Sequence, residues 1–189
     1  MANPGNIDKP IEATTETAFQ RAILRKGKTI LGSKTEIEWL DIELPVDKER
    51  GGRGHCIDLI GKMGNRYVMC ELKFGKDSAT DSPSYAAAEV KRYFEDVKKN
   101  CEYLETQSLH HPDAKPFSWK DLASCKTILM VAANAAYWAY WLGHRKENLA
   151  EIEGIQFCSI DVATDSFIWQ KGDLKEYTPT IETSNWDIL

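Results

Sequence analysis

The feature that most constrains this chain is a pair of apolar runs, His55–Lys62 and Arg66–Phe74, separated by Met63-Gly64-Asn65. Apolar and β-branched residues on both sides of a glycine-containing turn predict a β-hairpin. Charge interrupts both runs: Ile57 and Leu59 flank Asp58, and Leu72 and Phe74 flank Lys73, two residues after Glu71. A charge inside such a strand costs several kcal/mol if it is desolvated alone. It is tolerated when paired, when bound to a metal, or when set at a cleft. Period-2 geometry places Glu71 and Lys73 on one face. If the loop closes on Met63 and Arg66, Lys62 pairs with Tyr67, and Asp58 falls opposite Glu71 with Cβ atoms about 4.5–5.5 Å apart. A slip of one residue would put the two acids on opposite faces.

The rest of the chain supplies helices and further strands around that hairpin. Thr14 or Thr15 can cap a first helix over about 15–26, with Glu16 in its first turn and Phe19, Ala22 and Ile23 as its apolar stripe. A strand follows over 37–46, with Ile37 and Trp39 on one side and Leu40, Ile42 and Leu44 on the other. Ser82-Pro83 starts a second helix, with serine as cap and proline at the first helical position. Its core face is Val90, Tyr93, Phe94, Val97, Cys101 and Leu104, the strongest helical pattern in the sequence. Residues 108–124 read as a loop, 125–133 as a buried strand, 134–150 as a third helix, and 155–161 and 167–170 as a final strand pair before an acidic tail. A hairpin followed by a helical crossover predicts an α/β fold, a mixed β-sheet flanked by helices. With 189 residues the chain is expected to form a single domain, a core over 14–133 with 134–189 added to it.

Two carboxylates held as close as Asp58 and Glu71 repel. A hard divalent cation between them removes that penalty, and Mg²⁺ suits one or two carboxylates together with water and substrate phosphate. Lys73 beside the ion can hold an attacking water and offset charge building on phosphorus. The layout is that of metal-assisted phosphodiester hydrolysis.

Asp58, a hairpin, and then Glu71-x-Lys73, with a helix before and a helix after, resembles the PD-(D/E)xK nuclease superfamily, whose fold is called restriction-endonuclease-like. The resemblance spans about residues 14–133 and includes the order helix, three strands, helix, strand. It implies a restriction-endonuclease-like core in the order α-β-β-β-α-β, followed here by α-β-β, and a Mg²⁺- or Mn²⁺-dependent nuclease, with endo and exo cleavage both open. Asp58 and Glu71 would be metal ligands, the Leu72 backbone carbonyl a further ligand, and Lys73 the residue that orients water. Many members add a glutamate from the first helix, and Glu16 matches it, in register with Phe19 and Ile23. RecB-like members carry Gln-x-x-x-Tyr on the second helix, where this chain has Glu89-x-x-x-Tyr93, so the tyrosine matches and the glutamine is replaced. Ile57 stands where the motif's name has proline. His55, Tyr93 and Lys76 are the candidate substrate-binding residues.

Composition narrows the partners. Net charge is −5, yet residues 1–146 carry 22 Lys and Arg against 20 Asp and Glu, so the acidity belongs to the C-terminal quarter. That leaves room for a local positive patch and disfavours a long basic groove. Five cysteines with no C-x-x-C pair fit a reducing cytoplasm and disfavour a zinc site. No signal peptide opens the sequence, and the uncharged stretch 127–143 is shorter than the ~20 apolar residues a bilayer span needs, so no membrane partner is expected. Nucleic acid is the expected partner, DNA ahead of RNA, and the resemblance also allows a homodimer. The aromatic run Tyr137-Trp138-Ala139-Tyr140-Trp141 reads mainly as core or interface, with stacking on unpaired bases as its other use. The competing reading of the whole is a non-catalytic nuclease-fold protein that binds nucleic acid or a partner protein.

Overall fold

The structure is a computed structural model that describes residues 16–32, 34–46, 56–75, 81–107, 110–124, 126–161, 167–171, 177–181 and 185–189. Helix α1 (Glu16–Lys26) ends at Gly27, whose φ of 78° is the left-handed conformation that terminates helices. A short strand β1 (Lys28–Leu31) turns through Gly32 into β2 (Thr35–Pro45). β3 (Cys56–Met63) and β4 (Arg66–Lys73) form the hairpin, with Met63 opposite Arg66 and Lys62 opposite Tyr67, the register read from the loop. Helix α2 (Pro83–Glu105) is capped by Ser82, whose hydroxyl accepts the Tyr85 amide. After a single turn of helix, α3 (Trp119–Leu122), β5 (Ile128–Asn134) runs parallel to β4. The C-terminal part adds α4 (Ala135–Trp138), β6 (Gln156–Asp161), a separate ribbon of β7 (Phe167–Lys171) and β8 (Tyr177–Ile181), and β9 (Asn185–Ile188).

The sheet does not stay open. Strands pair in the order β1-β2-β3-β4-β5-β6-β9, and β9 pairs parallel with β1 and antiparallel with β6, sealing a seven-stranded mixed barrel. This overturns the expectation of an open, restriction-endonuclease-like α/β sheet flanked by helices. The physical reason lies in two short strands the hydrophobic pattern does not announce. β1 has only four residues, and β9 sits in the acidic stretch that reads as a tail. Between them they cover the edges that β2 and β6 would otherwise expose, and closure is the one arrangement that removes edges altogether.

Helix placement follows from closure. Phe19, Ala22, Ile23 and Leu24 of α1 share one core with Leu31, Trp39, Leu59, Leu72, Met130, Cys158 and Trp186, so the apolar stripe of α1 is buried against the side chains that fill the barrel interior. Trp39 and Trp186 meet across it with centroids 5.1 Å apart, and the Trp39 indole donates to Thr29 Oγ1 at 2.7 Å. The other core lies outside the barrel, where Ala86, Ala87, Val90, Tyr93 and Val97 of α2 cover Ile60, Met69, Val131 and Ala133. Two irregularities in β2 alter the predicted alternation. A bulge between Trp39 and Asp41 brings Ile42 onto the Trp39 side, and Glu43, at a φ of 53°, turns Leu44 back to the α2 side.

The helix expected over 134–150 is broken. Four α-helical residues lead into a π-helix over Ala139–His144, and a 3-10 turn follows at Leu149–Glu151. No helix among the described residues is long and apolar enough to cross a membrane.

Candidate functional site

The site forms where two paired strands part. The β3–β4 ladder runs from Met63–Arg66 to Leu59–Cys70, and one step further Asp58 replaces a ladder bond with a side-chain bond. Its Oδ2 accepts the Leu72 amide at 2.7 Å. Its Oδ1 accepts the Gln20 side-chain amide of α1 at 2.8 Å. On its other side, β3 pairs with β2 so that Asp58 faces Glu43, between the pairs Ile42–Leu59 and Leu44–Ile57. A non-glycine residue at positive φ is strained, and such strain gathers at functional positions because the surroundings hold it there.

Glu71 and Lys73 extend from β4 toward α2, as period 2 requires. Both are buried, at 5% and 8% exposure. The Lys73 ammonium donates to Glu71 Oε1 at 2.8 Å and to Glu89 Oε2 at 3.3 Å, and Asp81 Oδ2 lies 3.7 Å away. Tyr93 donates its hydroxyl to the other Glu89 oxygen at 3.3 Å, one helical turn along α2. From the first turn of α1, Glu16 Oε2 accepts the Phe74 amide at 3.2 Å. Asn134 closes the end of β4: its side-chain amide bonds both the N–H (3.0 Å) and the C=O (2.8 Å) of Gly75.

One lysine thus lies among Glu16, Asp58, Glu71, Asp81 and Glu89. The surplus of buried negative charge shows in the acids. Burial raises the Asp58 carboxyl well above its ordinary range, and the charges of Glu71 and Glu16 raise it further. Burial pushes Glu71 up to about 7, although Lys73 pulls it down. Glu16 is raised chiefly by burial too. For Lys73, burial alone would lower the ammonium, but the Glu71 charge more than reverses this and the side chain stays protonated. The buried Glu71 Oε2 has no hydrogen-bond partner among the described residues.

That orphaned oxygen is the test of whether these residues suit a divalent ion. A buried carboxylate oxygen without a donor is costly, and a hard cation is the partner its chemistry prefers. Asp58, Glu71 and Glu16 therefore fit such an ion in type and in charge. They are not gathered as a ready-made cage, and no group of three or more His, Cys, Asp or Glu side chains among the described residues is arranged as one. Each acid is meanwhile held by a protein donor: Asp58 by Gln20 and Leu72, Glu71 by Lys73, Glu16 by Phe74.

Of the residues named from sequence, Asp58, Glu71, Leu72, Lys73, Glu16 and Tyr93 come together here. His55 and Lys76 lie outside the described residues. Gln20, Asp81 and Glu89 are additions. Gln20 follows Glu16 by one helical turn, a spacing that signals a shared face. Glu89 was visible only as the residue standing where a glutamine is usual. His110 takes no part: its Nδ1 lies 2.7 Å from Asp41, which anchors the loop after α2 to the β2 bulge. The aromatic run divides, with Tyr137 and Trp138 buried in the outer core and Tyr140 and Trp141 partly exposed.

Comparison with protein-family models, with curated proteins and with solved structures finds no match to this chain. The functional reading therefore stands on the residues alone.

Proposed function

We propose that this protein is a metal-dependent nuclease that hydrolyses phosphodiester bonds in nucleic acid, DNA in preference to RNA, using Mg²⁺ or Mn²⁺. The observation that carries the reading is the buried Glu71 Oε2 without a donor, beside Asp58 and the protonated Lys73, at the point where β3 and β4 part. The proposal rests on this set of side chains and owes nothing to the overall fold, since a closed barrel is not the architecture the motif resembles.

Asp58 and Glu71 would hold the ion, with the Leu72 carbonyl and Glu16 as further oxygen donors. When bound, the ion supplies Lewis-acid stabilisation of the phosphoryl oxygens and makes water a better nucleophile. The chain's own residues do the rest. Lys73, kept protonated by Glu71 and held also by Glu89, presents a fixed ammonium that can orient a water and offset charge on the phosphoryl oxygens. Gln20 and the Leu72 amide hold Asp58 in one orientation, so its reorganisation cost is already met in the folded state. Glu16 reaches the same strand end from α1. Preference for DNA follows the resemblance of the motif.

One observation favours a second, non-catalytic reading, in which the fold binds nucleic acid or a partner protein. Both Asp58 oxygens and the Lys73 ammonium already have protein partners, as in a structural ion-pair cluster. Incubation of wild type and Lys73→Ala with single- and double-stranded DNA and RNA, in Mg²⁺, in Mn²⁺ and in EDTA, separates the two. Metal-dependent cleavage that falls about 10²–10³-fold in Lys73→Ala supports the nuclease. Absence of cleavage from every substrate, or equal cleavage by both proteins, overturns it in favour of the binding reading.

A further inference from the structure

After α4 the chain adopts two conformations that local propensity does not favour. Residues Ala139–His144 form a π-helix, and Lys146 has a φ of 57°. π-helical turns are rare and frequent at functional positions, and a non-glycine residue at positive φ persists only where its surroundings hold it. What these two features bring together is a cluster of aromatic and basic side chains. Tyr140 and Trp141 pack edge to face with centroids 5.2 Å apart and planes at 86°. His144 meets Tyr140 at 5.7 Å. The Arg145 guanidinium lies over both rings, 5.9 Å from Tyr140 and 6.0 Å from Trp141. Tyr140 and Trp141 are partly exposed, and His144, Arg145 and Lys146 are exposed. Neither Arg145 nor Lys146 forms an ion pair among the described residues, in a chain whose net charge is −5.

This cluster is tied to the carboxylate site by short, specific links. Gly75, two residues after Lys73, lies so close to α4 that a Cβ there would meet the Tyr137 Cα at 3.1 Å. Asn134 caps α4 and grips Gly75 with the same side chain. The Tyr137 hydroxyl donates to the carbonyl of Asp81, whose own carboxylate lies 3.7 Å from Lys73. Glu147, just past the basic turn, accepts from the Ser84 amide at 2.9 Å and from the Ser84 hydroxyl at the start of α2.

We propose that Tyr140, Trp141 and Arg145 form a stacking platform for unpaired nucleobases, so that the protein takes single-stranded nucleic acid, or the unpaired end of a duplex, into the Asp58–Glu71–Lys73 site. This deepens the nuclease reading and rests on it. Three points select the occupant. Both rings are partly exposed, and a base is the flat ligand that stacks on an exposed ring. Exposed cations beside the rings suit a polyanion, and arginine adds cation–π attraction. In a duplex the bases stack on one another and offer no face to the platform. Tyr137 and Trp138, the buried half of the aromatic run, form its base.

The test is fluorescence anisotropy of a labelled oligothymidylate and of a labelled DNA duplex, in EDTA so that nothing is cleaved. Wild type should bind the single strand more tightly than the duplex. Tyr140→Ala should weaken single-strand binding about tenfold or more while changing duplex binding little. Tyr140→Phe should bind like wild type, because the ring and not the hydroxyl is needed. Arg145→Ala changes an exposed side chain that is not part of the core, and its loss of single-strand affinity guards against a folding defect in Tyr140→Ala. No binding of either oligonucleotide, equal weakening of both by Tyr140→Ala, or unchanged single-strand binding in Tyr140→Ala and Arg145→Ala overturns the platform. Failures of the two readings look different. Tyr140-dependent binding without cleavage on adding Mg²⁺ sinks the nuclease and leaves the platform. Metal-dependent cleavage with Tyr140-independent binding does the reverse.

Discussion

Replacing Glu71 by Gln should change how the stability of the metal-free protein depends on pH. In the folded state Glu71 is raised from 4.5 to about 7, with burial as the largest cause. Between those two values the native state therefore holds a proton that the unfolded state has lost. Stability then falls as pH rises, because the unfolded state binds fewer protons. The penalty is absent below about pH 4.5, grows through the window, and is complete above about pH 7. A carboxyl whose titration midpoint moves by one pH unit on folding changes stability by about 1.4 kcal/mol, so the wild type should lose roughly 3 kcal/mol across the window. Glu71→Gln has no such group. Its amide nitrogen, set where Oε2 has no partner, carries a cost of about 1–3 kcal/mol, but that cost does not vary with pH and cancels from the slope. Removing the Glu71 charge also relieves Asp58, which it helps to raise, and this adds to the difference in the same direction. Urea unfolding followed by tryptophan fluorescence, in EDTA at several values between pH 5 and 8, gives the difference directly. The variant should gain on the wild type as pH rises. A flat difference, or a wild type that gains instead, would show that Glu71 is not strained by burial and would remove the charge argument for an ion.

Mg²⁺ or Mn²⁺ should raise the melting temperature of the wild type, since a ligand bound by the native state alone stabilises it, and Asp58→Asn should abolish the rise. An equal rise in both proteins would place the ion elsewhere. Gly61→Ala should destabilise the barrel by about 1–3 kcal/mol in urea unfolding. Its new methyl would lie 2.8 Å from the Trp39 ring and 2.9 Å from Ile37 inside the core. Asn134→Ala should lower cleavage as well as stability, because it frees Gly75 and the α4 cap together; full activity in a stable variant would show that the end of β4 needs no clamp.

Local rules made part of this legible. The Met63-Gly64-Asn65 turn set the hairpin register, and with it the meeting of Asp58 with the strand that carries Glu71 and Lys73. Ser82-Pro83 marked the start of α2 for the same reason, since cap chemistry acts within one turn. Closure was not legible. Whether Lys28–Leu31 and Asn185–Ile188 become strands depends on partners far away in sequence, and four residues carry too little pattern to reveal them. The bulge at Trp39–Asp41 and the positive φ of Glu43 likewise arise from packing against neighbours and leave no glycine to signal them. The π-helix follows a stretch whose composition suits an ordinary helix. Within the site, Glu89 was hidden because its role depends on the distance from α2 to Lys73, a tertiary quantity.

The pairing of Ile30 with Asn185 bears on the order in which the molecule assembles. The β2–β3–β4 meander joins neighbours in sequence and can form early, taking the Asp58 and Glu71 strands with it. Sealing the cylinder is different, because it closes a loop of some 155 residues, at an entropic cost of about 4–5 kcal/mol. On a ribosome this last step waits until β9 has left the exit tunnel, and until then β1 and β6 offer bare backbone to any passing strand. Trp186, reaching across to Trp39, is then the bolt that turns a sticky, curled sheet into a finished cylinder.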